Sequence, residues 1–364
     1  MNFVRYVGFP LVSGAALLAA MPAMAASDVS NSGSVSNQAV TAVAAPIASA
    51  QTASLISGAI GGAISGGVGG GFTGGGVGGG FSPSGGAVPG PTSQLMNSRQ
   101  SGKAGAAGAP KLGVWAQGTY VNIDKKEAFL GMDGDVYNLV GGVDYKFNDR
   151  GVVGVSIGYE NTNIDTKFNN GTFEGNGYTV APYVGYALSP NWTADLTVGY
   201  TWLDYDVSRN NGAVKGSYDA TRWFTAANLT GNFAIDRWRL SPKVGVSYMN
   251  EESDAYRESG SSTAAVEGST IKFGRASAGV KTGYAFQNFM PYAKITGEYD
   301  FKKPDAVLKS NGQMSNVDDG GLVFGLGVDI FSGPVSGTVE ASYNSALRDD
   351  LDIWQATARI RYEF

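Results

Sequence analysis

Two residue types on which many enzymes and metal sites depend, Cys and His, are absent from this 364-residue chain. Their absence removes Ser-His and Cys-His nucleophile pairs, thiolate and imidazole zinc sites, disulfides and any imidazole base. Acid–base or nucleophilic work would fall to carboxylates, Lys or Tyr. Carboxylates do cluster, at Asp133/Asp135, Asp318/Asp319 and Asp349/Asp350/Asp352. None has the ligand spacing of a calcium loop, so these are expected to be solvated loops, with no metal and no cofactor. More regular are Arg222, Arg239, Lys243, Lys281, Lys294, Glu298, Glu340, Arg359 and Arg361, each on the polar side of an alternating stretch. Charges gathered this way can line a pore and filter ions, or pair with one another. Pairing is the expectation, and no enzyme activity is.

Those charges need elements that hold them in rows. From Leu112 to Phe364 apolar and polar residues alternate in stretches of about ten, the period of strands with two unlike faces. One stretch sets Trp192, Ala194, Leu196, Val198 and Tyr200 against Thr193, Asp195, Thr197, Gly199 and Thr201. Another sets Trp238, Leu240, Pro242, Val244, Val246 and Tyr248 against Arg239, Ser241, Lys243, Gly245 and Ser247. Twelve such stretches are predicted, near 112–122, 136–147, 152–161, 177–188, 192–203, 221–234, 238–249, 270–286, 289–301, 321–331, 335–344 and 352–364. Tight connections at 148–151, 189–191, 235–237, 287–288 and 332–334 alternate with six that are mostly long and polar, three of them holding Asn-Gly turn dipeptides.

The first 111 residues are of another kind. Arg5, an apolar core from Val7 to Ala20 and Ala23-Met24-Ala25 make residues 1–25 a signal peptide, with cleavage expected after Ala25. Residues 26–50 are Ala, Ser, Val and Asn without period. Gln51–Ser65 carries Leu55, Ile56, Ala59, Ile60, Ala63 and Ile64 at helical spacing. Gly58, Gly61 and Gly62 each weaken that short helix by about 1 kcal/mol. Gly fills 16 of the 29 positions from 58 to 86, the composition of a flexible linker. Its G-x-G-x-x-G matches have no strand before them and no helix after, so they do not signify phosphate binding. No segment after residue 25 offers the ~18 consecutive apolar residues of a spanning helix. Residues 26–111 are thus expected as a low-complexity segment with one short helix.

Alternation also occurs in soluble sandwiches, but three features point to a closed barrel in lipid. The strand number is even, with short and long connections in turn. Aromatics stand near both ends of the apolar faces, as interfacial girdles do. Lys, Arg and Glu at every other central position are costly in a dry core and natural in a watery lumen. The reading is therefore all-β: a twelve-stranded antiparallel transmembrane β-barrel of the Gram-negative outer membrane, over 112–364, most naturally a monomer. Residues 1–111 carry a net charge of +3 and 112–364 one of −8, which argues against nucleic acid as partner.

Residues 112–364 resemble the β-domain of the monomeric autotransporters, the type V secretion family. The resemblance is carried by the opening Gly113-Val114-Trp115-Ala116-Gln117-Gly118, by Pro291-Tyr292-Ala293-Lys294 leading to Gly297-Glu298-Tyr299-Asp300-Phe301, and by the terminal Ala358-Arg359-Ile360-Arg361-Tyr362-Glu363-Phe364. It implies insertion by the outer-membrane assembly machinery, with the N-terminal segment threading the pore. The chain departs from the family in lacking a long repetitive passenger, since 26–111 could not bury a core of any size, and an Asn-Asn cleavage pair ahead of the barrel. Phe364, Tyr362, Ile360 and Ala358, in phase on the last strand, form an assembly signal readable by strand addition. The expected function is a translocator that carries or displays its own short N-terminal segment. Two alternatives stay open: a passive or structural barrel plugged by residues 51–65, and an adhesin acting through its loops.

Overall fold

The computed structural model describes residues 33–64 and 112–364, apart from 308, 310, 311, 316 and 317. The expected signal peptide and the Gly-rich tract beyond residue 64 lie outside the described residues. Twelve long strands are present: β1 (Leu112–Lys125), β2 (Met132–Lys146), β3 (Gly151–Thr166), β4 (Gly171–Ser189), β5 (Trp192–Arg209), β6 (Val214–Gly231), β7 (Trp238–Ser253), β8 (Ser269–Tyr284), β9 (Phe289–Lys302), β10 (Gly320–Ser332), β11 (Val335–Ala346) and β12 (Leu351–Glu363). Each pairs antiparallel with its sequence neighbours. β1 also pairs with β12, in a register running from Gly113↔Glu363 to Lys125↔Leu351. The ring is closed, so no row of unpaired N–H and C=O groups faces lipid.

Outward side chains are apolar and uncovered, Ile157 being 68% exposed. Inward side chains include charged groups shielded from solvent, Lys281 being 0% exposed. Aromatics ring both ends of the outer wall. Tyr120–Tyr137, Tyr159–Tyr178, Trp223–Tyr248 and Tyr343–Trp354 stand at one end with centroids 4.9–5.5 Å apart. Trp192–Phe233, Trp238–Tyr284 and Tyr362–Phe364 stand at the other, 4.7–5.9 Å apart. The second end also holds the tight turns, Leu112 and Phe364, whose N–H donates to the Leu112 carbonyl at 3.0 Å. Short turns face the periplasm, so this is the inner rim and the other is the outer rim.

Strands β3 to β6 run further than the alternation predicts, and 162–176 and 204–220, expected as connections, continue the ladders through pairs such as Asn163↔Glu174 and Asp206↔Ser217. The physical reason is a change of phase. In β5 the outward apolar set Leu196, Val198, Tyr200 and Trp202 gives way at the outer rim to buried Leu203 and Tyr205, with Asp204 and Asp206 outward. Beyond the lipid the strand keeps its period but its apolar face turns inward. Only 167–170 and 210–213 remain as links there, and these two connections are short where long ones were expected.

Inside the barrel lies one helix, α1 (Gly33–Ile64). Only 51–65 was expected to be helical; the helix begins eighteen residues earlier and ends at Ile64. Residues 33–50 carry no apolar stripe because most of the helix surface is buried inside the barrel, and a helix buried on most of its faces needs none. Its Ala content supplies propensity. No charged residue occurs in it, and Pro46 sits near its middle. By length and composition Val35–Ile64 could cross a membrane. Ser, Thr, Gln and Gly interrupt its apolar runs, which hid this from a search for consecutive apolar residues. It crosses inside protein rather than lipid.

Candidate functional site

The lumen wall is built of ion pairs that belong to the barrel alone. Arg222 on β6 donates Nε to Glu251 on β7 at 2.7 Å and Nη1 to Glu160 on β3 at 2.9 Å. Tyr205 OH completes this group by donating to Glu251 at 3.0 Å. On the far wall Lys281 (β8) meets Asp329 (β10) at 2.8 Å, and Lys294 (β9) meets Glu340 (β11), which also accepts from Tyr292 OH at 2.7 Å. Arg275 and Arg348 share Glu298 and Asp300 at 2.6–3.2 Å. At the inner rim Arg361 on β12 reaches across β1 to clasp Asp144 on β2 with two bonds, 2.6 and 2.8 Å. Gly113 on β1 makes that reach feasible, since a Cβ there would stand 2.0 Å from an Arg361 nitrogen.

Helix α1 is held mostly by hydrogen bonds to neutral side chains, with two cationic donors among them. Asn169 donates to Ser36 Oγ at 2.6 Å, and Asn37 Nδ2 donates to Tyr256 OH at 3.1 Å. Asn138 donates to Thr52 Oγ1 at 2.8 Å. Ser57 Oγ accepts from Lys243 Nζ at 3.0 Å and from Asn228 Nδ2 at 3.3 Å. Arg361 Nη1 touches the Ala59 carbonyl at 3.4 Å. Near the inner rim the backbone of β4 lies against the helix at Gly185, where a Cβ would stand 2.1 Å from Ile60 Cγ2 and 3.0 Å from Ile64 Cδ1. The helix direction follows. Gly33 is at the outer mouth beside Tyr256, Glu258 and Val266, and Ile64 is at the inner rim.

Loops fold inward over the outer mouth. Leu130, Val307 and Val266 from three of them are buried, and the first two pack with Val35, Val40 and Ala44 of the helix. Arg209 grips Glu258 with Nε and Nη2 at 2.9 and 2.8 Å, and this guanidinium holds the carboxyl below its ordinary range. The helix does not fill the lumen. A partly open cleft of about 140 Å³ remains between Ala42, Pro46 and Ile47 on one side and Arg275, Asp300 and Arg348 on the other. The Lys281–Asp329 and Lys294–Glu340 layer takes no part in its lining.

All nine charges singled out from the sequence point inward and are buried. Seven make the contacts described above. Arg239 instead turns to the inner-rim carbonyls of Asp236 and Trp238, at 2.8 and 3.0 Å. Arg359 donates to Thr338 Oγ1 at 3.1 Å. Of the acidic clusters, Asp133 meets Lys167, and Asp352 meets Lys126 and Tyr343. Among the described residues no group of three or more carboxylates could hold a metal ion. Phe364, Tyr362 and Ile360 are exposed on the outer wall, with Ala358 in the same row. Sequence reasoning missed Asp144, Glu160, Glu251, Asp329, Arg275, Asp300 and Arg348, the partners that complete the layers. It also missed Ser57, Asn138 and Asn228. All but Arg348, which lies in the connection after β11, stand in the inward phase of a strand or on the helix, but which residues meet depends on strand register.

A closed barrel with an apolar outer wall and aromatic girdles defines a β-barrel of the outer membrane, here with a segment of its own chain in the lumen. Residues 114–344 match the family model "Autotransporter beta-domain". The protein belongs to the autotransporter β-domain family. Its fold is similar to the translocator domain of the autotransporter NalP from Neisseria meningitidis, at TM-score 0.59 and 17% identity over 75% of this chain and 95% of that one. It is also similar to the β-domain of the Bordetella autotransporter BrkA, at 0.56 and 20% over 70% and 100%. The transport unit of AIDA-I from Escherichia coli aligns at 0.57 and 15% over 75% and 98%. No curated protein sequence matches the chain.

Proposed function

We propose that the barrel is a translocator for its own N-terminal segment, and that α1 is the part of that segment left in the pore, where it seals the lumen. The role is transport rather than catalysis. One observation carries this reading: the helix lies along the lumen with Gly33 among the outer loops and Ile64 at the inner rim. A chain that had entered only as a periplasmic plug has no need to lead with its N-terminal side through the whole barrel. Cleavage after Ala25 leaves residues 26–32 ahead of the helix, so the displayed stretch is short. Because the chain has no Cys, Ser30→Cys gives a single reactive thiol. On intact cells it should react with a membrane-impermeant maleimide. Labelling only after the outer membrane is permeabilised would refute display and leave a plugged, structural barrel.

The last strand supports a second part of the proposal, that Phe364, Tyr362, Ile360 and Ala358 are read by the assembly machinery. They form an outward row, and the β12 edge behind them pairs with β1 only in the closed ring. Recognition by strand addition would therefore precede closure. Replacing Phe364 and Tyr362 by Ser should lower the amount of inserted barrel severalfold while export to the periplasm continues. Wild-type outer-membrane levels in that variant would reduce these residues to lipid contacts.

A further inference from the structure

A helix without charge, in a lumen most of whose charges already pair with one another, could rest at many heights. Most of its contacts are between neutral groups, but one hydroxyl meets buried charge. Lys243 on β7 is 1% exposed, and no carboxylate oxygen lies within ion-pair distance of its Nζ among the described residues. It donates to Ser57 Oγ at 3.0 Å. Ser57 also hydrogen-bonds the buried carboxylate of Asp195 on β5. Asn228 on β6 donates to both Asp195, at 2.8 Å, and Ser57, at 3.3 Å. Three adjacent strands thus form a slot with a cation on one side, a carboxylate on the other and room for one small hydroxyl between.

The physical consequence is selectivity for position along the passing chain. A buried ammonium without a partner is strongly unfavourable. A methyl or methylene in the slot would leave Lys243 and Asp195 dry and separated, whereas a hydroxyl accepts from one and donates to the other. The residues next to Ser57 along the helix, Ile56 and Gly58, cannot do this. The apolar neighbours Ile60 and Ile64 seat against Gly185 at the same height, so a shift of one residue removes the hydroxyl and the close packing together.

We propose that Asp195, Lys243 and Asn228 form a stop that recognises the Ser57 hydroxyl and arrests the translocating segment with α1 in this register. The proposal rests on the translocator reading and names the residues that end the movement. They are positioning residues, and no bond is made or broken.

The register can be read by a disulfide. Ile60→Cys with Gly185→Cys places two thiols at the point where Ile60 and the β4 backbone now touch. In the full-length chain, assembled in cells, this pair should cross-link efficiently. Adding Ser57→Ala should lower the cross-linked fraction roughly tenfold, the worth of one hydrogen bond to a charged group, and Ser57→Thr should restore it. In a Lys243→Met/Asp195→Leu background, Ser57→Ala should have little further effect, because both charges that required the hydroxyl are gone. Equal cross-linking with and without the Ser57→Ala substitution would overturn the stop. So would an equal loss from Ser57→Ala in both backgrounds, since that would be helix propensity acting alone. If the parent pair does not cross-link at all, α1 does not rest in this register and the stop is overturned, while labelling at Ser30→Cys still tests the translocator reading by itself.

Discussion

Arg361 does more for the barrel than its place near the chain end suggests. Its guanidinium joins β12 to β2 across the seam at which the ring closes, and both partners are buried, at 2% and 2% exposure. Tyr183 OH adds a bond to Asp144 at 3.2 Å and accepts from Trp115 Nε1 at 2.8 Å. Replacing Asp144 by Asn removes the carboxylate and leaves the guanidinium buried, which costs about 3–5 kcal/mol for pairs of this kind. Glu363, at 3.2 Å from Arg361, remains as a partial partner, so the loss should fall at the lower end. The measurement is the urea midpoint of the folded barrel in lipid or detergent, and the double variant Asp144→Leu/Arg361→Met should recover much of the loss. An Asp144→Asn barrel as resistant as the parent would remove this clasp from the account. At this scale the sequence was half legible. The inward phase of Arg361 could be read from Ile360 and Tyr362 on either side of it. Its partner, 217 residues away, is set by register and by a glycine on the strand between them.

At the scale of elements the strands were legible where lipid writes the pattern. Between the girdles one face must be apolar, and all twelve stretches become strands. Above the outer girdle the apolar side passes to the inside, as at Leu203 and Tyr205, so the same strand reads as if it had ended. The Asn-Gly dipeptides still marked true turns: Asn170, Asn211, Gly212 and Gly312 have positive φ. The helix was the least legible element. Amphipathic periodicity reports a helix with one wet side, and α1 has none. Ser36, Thr52 and Ser57 look like linker residues in the sequence and become its anchoring points only because Asn169, Asn138, Asn228 and Lys243 face them. Alternate small and hydroxyl residues also let the helix pass close to a wall of charged side chains without clashing.

The whole molecule is a ring most of whose interior charges are satisfied across strands, with a neutral rod inside it. Arg222–Glu160/Glu251, Lys281–Asp329, Lys294–Glu340, Arg275/Arg348–Glu298/Asp300 and Arg361–Asp144 all join strand to strand, and none uses a helix residue. Hydrogen bonding around the ring is complete without the rod as well. Deleting residues 33–64 should therefore leave a barrel that inserts, is β-rich and keeps heat-modifiable migration in gels. The lost helix contacts are replaced by water, which a lumen lined with Lys, Arg, Asp and Glu accepts readily. Conductance should change in the opposite sense. In the parent the helix lies in the lumen against the β2–β5 wall, and the Lys281–Asp329 and Lys294–Glu340 layer does not line the remaining cleft. In planar bilayers the parent should show small or rare openings, and the deletion variant a stable conductance several times larger. If the variant inserts but conducts no better than the parent, the inward-folded loops carrying Leu130, Val266 and Val307 are sufficient to close the pore. The helix would then be cargo held at the stop rather than the seal. If the variant fails to fold, the ring depends on the rod, and the ion pairs between strands are not the self-sufficient frame that their geometry indicates.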